Sequence, residues 1–218
     1  TRPVLFMDNE WHGYDHQQHL ASVKEFTPKY ATTRDIMTRQ QCDESGVEFY
    51  TFDEIMDFAK DVAEYTENII IIPKHDILAK IPDTIGNARV VLGYSVPSSY
   101  GRTDIHPEMF KGRPIHLLGG PWKRQRALLA LLGDSVVSLD NNNVSRVAEF
   151  GQVCNRDGSM TRLSDLSCMG GGTFRNWTAS LLLSLTVIMN EVVETFGVEP
   201  SIPEKVPGED FDIEFTDH

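Results

Sequence analysis

Ile69-Ile70-Ile71-Ile72, followed at once by Pro73-Lys74-His75-Asp76, is the stretch whose reading decides the fold. A strand with one wet face alternates apolar and polar residues. Four isoleucines in succession instead need apolar surroundings on both faces, as in a parallel sheet covered by helices. Working outward, similar short runs recur at residues 4–7, 29–33, 90–92, 115–118 and 136–139. Helix-length segments separate several of them, at 17–26, 55–65 and 122–132, and two more follow at 144–150 and 176–196. In the second, Ile55, Met56, Phe58, Ala59, Val62 and Ala63 keep helical spacing and Asp53 is the expected N-cap. Strand, crossover and strand in repetition imply parallel βα units. A doubly wound open sheet and a (β/α)8 barrel both satisfy that pattern. No GxGxxG follows the first strand and no GxxxxGK[ST] occurs anywhere, which removes the usual phosphate-loop reasons for a doubly wound fold. The expected fold is α/β, a (β/α)8-type TIM barrel, compact or partly incomplete, over residues 1–198. Such a barrel lies at the short end of the usual ~250 residues.

The chain has 218 residues, 40% of them apolar and 24% charged, which excludes a disordered or fibrous protein. Ser184, Thr186 and Asn190 interrupt the longest apolar run, so no membrane span of ~20 residues is expected. No basic segment precedes that run in the manner of a secretory signal, and a residue or more is expected to have been removed ahead of Thr1. Three cysteines (Cys42, Cys154 and Cys168) without CxxC spacing argue against a disulfide framework and a zinc site, and favour a cytoplasmic setting. The net charge is −12, yet residues 199–218 hold seven acidic residues against Lys205 alone and read as a solvated tail containing Pro200, Pro203 and Pro207. The body is therefore only mildly acidic, and net charge does not indicate nucleic-acid affinity. Arg102, Lys111, Arg113, Lys123, Arg124 and Arg126 still form a local basic cluster, either a solvated face or a polynucleotide surface.

The residues just past each run carry the chemistry. Met7 gives way to Asp8-Asn9-Glu10-Trp11, Ile72 to Pro73-Lys74-His75-Asp76, Leu92 to Gly93-Tyr94-Ser95, Leu118 to Gly119-Gly120-Pro121, and Leu139 to Asp140-Asn141-Asn142-Asn143. In parallel α/β folds these carboxyl ends converge on one face, where ligands bind. Asp8 and Asp140 thus stand at matching positions, and converging carboxylates are what glycosidic chemistry requires. Each is equally placed to cap the next helix. Gly119-Gly120 permits close approach of backbone to a flat ligand or simply a tight turn, and Asn141 to Asn143 suit either a nucleobase edge or a polar turn. His12, His16 and His19 fall at helical spacing near Asp8, where solvated histidines outweigh a metal site. His116, inside a strand, reads as a core histidine. Gly170-Gly171-Gly172 with Arg175 suits a phosphate cradle or a flexible loop.

Residues 139–152, LDNNNVSRVAEFGQ, align without a gap to the segment FDCVLPTRNARNGQ. Asp140, Arg146, Ala148, Gly151 and Gln152 are shared, and Ser145 replaces Thr. IHLLGGP (115–121) is similar to YLMGVG, and LFMDNEW (5–11) falls where DSGGF is expected, keeping only the Asp. In these segments the chain resembles the queuine and archaeosine tRNA-guanine transglycosylase family. The resemblance implies that Asp140 is a nucleophile and Asp8 a general acid/base. It implies that Asn9, Lys74, Asp76, Gly93, Tyr94, Gly119, Gly120, Asn141 and Asn142 hold the base, and that Arg146, with Lys123, Arg124 and Arg126, contacts the polynucleotide. The family's CxCxxC zinc site and RNA-binding extension have no counterpart here. That departure, with the short chain, is closest in character to compact viral relatives that insert 7-deazaguanines into DNA. The implied activity is exchange of guanine in DNA, rather than tRNA, for a 7-deazaguanine base without cofactor, with a homodimer or a partner protein as candidate assemblies. A nucleoside hydrolase or deoxyribosyltransferase acting on free nucleosides, and a non-catalytic barrel subunit, remain as alternatives.

Overall fold

The computed structural model describes residues 4–98, 103–165 and 177–197. The strands are β1 (Phe6–Met7), β2 (Tyr30–Thr32), β3 (Asn68–Ile71), a short β4 (Thr84–Ile85), β5 (Ala88–Ser95), β6 (Ile115–Leu118) and β7 (Val136–Leu139). All but β4 run parallel and pair in chain order, β1-β2-β3-β5-β6-β7, while β4 adds antiparallel to β5. Sequential order with crossovers of one hand puts the helices on one face of the sheet. That face is covered by α1 (His16–Phe26), α3 (Phe52–Ala63) and α4 (Trp122–Leu132); α2 (Arg39–Ser45) follows β2.

The sheet curls strongly. The rings of Phe6 on β1 and His116 on β6 stack 5.1 Å apart although β2, β3 and β5 lie between their strands. The result is a half-barrel of six parallel strands, not the closed (β/α)8 barrel expected from the sequence. The chain after β7 explains the difference. It forms α5 (Asn143–Glu149), then β8 (Gln152–Cys154) and β9 (Met160–Arg162), with five residues between the two strands. A parallel return needs a crossover of roughly a dozen residues. With five, β8 and β9 pair antiparallel with each other and never join the main sheet. Asn155, Asp157 and Gly158 build that turn: Asp157 accepts from the Ser159 amide at 2.9 Å and Gly158 has φ +83°.

Period-two alternation divides the strands' side chains between two regions. Ile69, Ile71, Val90, Leu92, Ile115 and Leu117 point outward and meet Val23, Ile55, Ala59, Val62, Leu128 and Leu132 from the helices in one continuous core. Ile70, Ile72 and Val91 point into the curl, with Phe6, Tyr30 and Leu118 against them. Gly93 belongs to this inner face: a Cβ there would lie 2.6 Å from Ile72 Cγ1 and 2.8 Å from Leu118 Cδ1. The cap of α3 is Thr51, not Asp53. Thr51 and Glu54 form a reciprocal capping box, and this T-x-x-E pairing satisfies two helix-end donors where Asp53 alone would satisfy one.

The last helix, α6 (Trp177–Phe196), packs on the hairpin and on α4. Contrary to expectation, its stretch Trp177–Thr195 is long and apolar enough to cross a membrane, with mean hydropathy 1.2; it is the single such helix among the described residues and weak evidence of a span. Its inward face is largely polar. Ser180, Ser184 and Glu191 are buried with Ile188, whereas Leu182, Leu183, Leu185 and Met189 are exposed. Ser184 Oγ accepts from the Cys154 amide at 2.9 Å, and Glu191 accepts from Arg126 at 2.7 Å and Arg156 at 2.6 Å.

Candidate active site

At the carboxyl ends of the six strands lies a cleft of about 370 Å³. Alternation decides what enters it, because residues two apart share a face. Continuing the inner face of each strand leads from Phe6 to Asp8, from Ile72 to Lys74, from Gly93 to Ser95, and from Ser138 to Asp140. Asp8, Lys74, Ser95 and Asp140 all line the cleft, with Asn9, Gly119, Gly120 and Asn142. Asp8 and Asp140, from the two outermost strands of the sheet, thus share one site.

Asp8 Oδ1 accepts from the Asn9 amide at 2.9 Å and the Thr32 hydroxyl at 3.0 Å. Surrounding protein raises its carboxyl above the ordinary value, and the charges of Asp140 and Asp35 push the same way, against the two hydrogen bonds. Asn9 is tied down in turn, its side-chain amide donating to Thr32 Oγ1 at 3.1 Å and to the Thr33 carbonyl. Asp140 Oδ1 accepts from the Gly119 amide at 2.9 Å and from His116 Nε2 at 3.3 Å. Neither carboxylate's Oδ2 has a hydrogen-bond partner among the described residues.

Gly119 and Gly120 both have positive φ, +58° and +79°. A Cβ on Gly120 would lie 2.5 Å from Val96 Cγ1, so only glycine fits there. The turn is held from beneath by Gln125, fully buried on α4, which donates to the Gly119 and Asp140 carbonyls and accepts from Asn141 Nδ2 at 2.9 Å. One side chain thereby ties the glycine turn to the segment bearing Asp140. The Gly119 amide is consequently engaged by Asp140 in the described structure.

Lys74 stands deeper. It is 7% exposed and pairs with Asp35 at 3.0 Å, itself 7% exposed, while also donating to Ser95 Oγ. Its ammonium lies 5.4 Å from the Trp11 ring centroid, and Arg34 lies 5.3 Å from the same centroid. Both cations thus hold Trp11 at the cleft wall.

Several sequence-predicted residues lie elsewhere. Tyr94 faces outward and packs edge-on against Phe110 at 5.1 Å, in the helix-covered core. Asp76 is exposed beyond the strand end and is not part of the cleft lining; Gly93 forms the apolar floor. Asn141 is turned to Gln125 and to the Asn143 amide, while Asn142 reaches the cleft. His16 meets Asp61 at 3.0 Å and His19 the Thr32 carbonyl at 2.9 Å, so the three histidines diverge, with only His12 at the cleft. Arg146, Lys123, Arg124 and Arg126 are exposed, but Arg124 donates to the Pro97 carbonyl and Arg126 pairs with Glu191. Lys111 and Arg113 pair with Glu108 and Asp83. Arg102, Cys168, Gly170 to Gly172, Arg175 and the tail 199–218 lie outside the described residues.

Sequence reasoning missed Trp11, Asp35 and Ser95 in the cleft and His116 beneath it. Period-two counting along β5 from the inward Val91 through Gly93 would have found Ser95. Asp35 had no strand signal, because it precedes an isolated bridge from Ile36 to Pro73 rather than ending a named strand. No curated protein matches the chain. A family model does match residues 1–181, and on that match the chain belongs to DUF6610, a family of unknown function.

Proposed function

We propose that this half-barrel is a transglycosylase that exchanges guanine in DNA for a 7-deazaguanine base through a covalent aspartyl-glycosyl intermediate. The observation that carries the reading is the pair Asp8 and Asp140: two carboxylates in one cleft, each with Oδ1 held by donors and with Oδ2 unpartnered among the described residues. Asp140 Oδ2 attacks the sugar C1′ as the bond to guanine N9 breaks. The raised proton affinity of Asp8 suits it to protonate the departing base. Left ionised, Asp8 takes a proton from the incoming base, whose nitrogen attacks C1′ and expels Asp140. Two inversions retain configuration, and the reaction as written needs no cofactor. The target nucleotide must leave the stack to reach a cleft of this size, at a cost of a few kcal/mol. Lys74, held by Asp35 and Ser95, and the wall of Trp11 frame the base. The reading is of a cytoplasmic enzyme acting on DNA, not on a membrane.

A second reading, transfer or hydrolysis on free nucleosides, is favoured by one observation. Lys111, Arg113 and Arg126 are neutralised by Glu108, Asp83 and Glu191, which reduces the charge available to phosphates.

The test is incubation with guanine-containing DNA and labelled 7-deazaguanine bases, followed by digestion to nucleosides. Asp140→Asn should abolish incorporation, because an amide is a far poorer nucleophile. Asp8→Asn should retain a denaturation-resistant protein–DNA adduct with turnover lowered about 100- to 10,000-fold. Label appearing only when free nucleosides are supplied would favour the second reading. An adduct surviving in Asp140→Asn would remove Asp140 as nucleophile.

A further inference from the structure

His116 lies beneath the cleft on β6, 2% exposed, and the reaction above does not use it. Its ring is fixed on every side. Phe6 stacks on it at 5.1 Å with the planes 16° apart, and opposite it in register on β5 stands Gly93, which brings no side chain. Nδ1 lies 2.8 Å from Ser138 Oγ and Nε2 lies 3.3 Å from Asp140 Oδ1. Ser138 and Asp140 are two apart on β7, so both face the ring. Of the groups meeting the imidazole, Asp140 is the charged one, with Asp8 beyond it across the cleft.

The chemistry fixes the tautomer. An ionised carboxylate only accepts, so Nε2 must carry a hydrogen. In the neutral ring Nδ1 is then the acceptor, and the Ser138 hydroxyl, free to rotate, donates to it. A continuous relay runs from Ser138 O–H to Nδ1, and from Nε2–H to Asp140 Oδ1. The Gly119 amide supplies a second donor to the same oxygen. Both donors on one oxygen lock the carboxylate's rotation and leave Oδ2 as the face presented to the cleft.

We propose that His116 is a positioning residue that, with Ser138 and the Gly119 amide, saturates Oδ1 of Asp140 and so selects Oδ2 as the attacking atom. The kinetic consequence rests on the transglycosylase reading; the tautomer and the orientation do not.

Two measurements on the full chain separate these. In ¹⁵N NMR of the neutral ring, His116 should show a protonated Nε2 and a bare Nδ1. Asp140→Asn should shift the Nε2–H resonance, through loss of the carboxylate oxygen that accepts from it. A protonated Nδ1 with bare Nε2, or no change on Asp140→Asn, overturns the proposal whatever the enzyme does. In single-turnover adduct formation on DNA, His116→Phe should slow attack about tenfold to a hundredfold, the effect of losing one charge-assisted hydrogen bond, with little change in KM. His116→Gln, whose Nε2 can reach the same oxygen, should restore most of the rate. Equal loss in Phe and Gln variants that both remain folded would reduce His116 to packing. Absence of any adduct in the wild type, with the tautomer as stated, would sink the transglycosylase reading and leave the positioning of Asp140 standing.

Discussion

The two faces of the curled sheet differ in what they bury. The outer face meets three helices through a continuous apolar core of aliphatic and aromatic side chains; the inner face, among the described residues, buries the aliphatic Ile70, Ile72 and Val91 and ends in Asp8, Lys74, Ser95 and Asp140. Because stability is supplied outside, the inside is free to hold charged groups close together. The curl brings them there: residues on non-adjacent strands meet across the interior, which a flat sheet of the same order would keep more than one strand spacing apart.

The comparison can be broken most severely at Lys74. Lys74→Met leaves Asp35 buried without its cation and should lower unfolding stability by about 3–5 kcal/mol, measured by denaturant titration. Adding Asp35→Leu should recover most of that loss, since removing both charges removes the uncompensated one. On the outer face, Ile71→Ala should cost about 2–5 kcal/mol, because a fully buried side chain leaves a cavity that strand and helix cannot close. Gly93→Ala probes the opposite limit inside the curl. A methyl pressed against Ile72 and Leu118 overpacks the floor and should cost about 1–3 kcal/mol. Smallest is Asp8→Asn. The native carboxyl binds its proton more tightly than in the unfolded chain, so stability falls as pH rises from the ordinary 3.8 through the raised native value. Asn cannot ionise yet keeps an oxygen for both donors. The variant should therefore melt slightly higher than wild type at neutral pH, by about 1–2 °C given a side chain open to solvent on one side, and the same below pH 3.8.

Much of the fold was legible in the sequence, and the limits have physical causes. Residues 115–118, 122–132 and 136–139 are strand, helix and strand as the apolar pattern requires. Closure was not legible, because it depends on where a strand can return. Residues 152–154 and 160–162 pair with each other, and the five residues between them are too few for a parallel crossover. In the site, Asp8 and Asp140 were found because each follows a recognisable run. Tyr94 was misplaced by one residue, since a sequence pattern identifies a strand end more easily than the face each residue takes. His116 was read as core, and by burial it is; its contact with Asp140 depends on a pairing between β6 and β7 that no local pattern records.

The chain-order pairing of the strands also bears on how the protein acquires its cleft during synthesis. Each parallel strand docks on the parallel strand made just before it, so the sheet can grow as the chain emerges, without waiting for distant segments. The cleft does not share that advantage. Asp8 is carried by the first strand and Asp140 follows the last, so a nascent chain holds a nearly complete scaffold around half a site until β7 arrives. The molecule gains its scaffold gradually and its paired acids in a single late step.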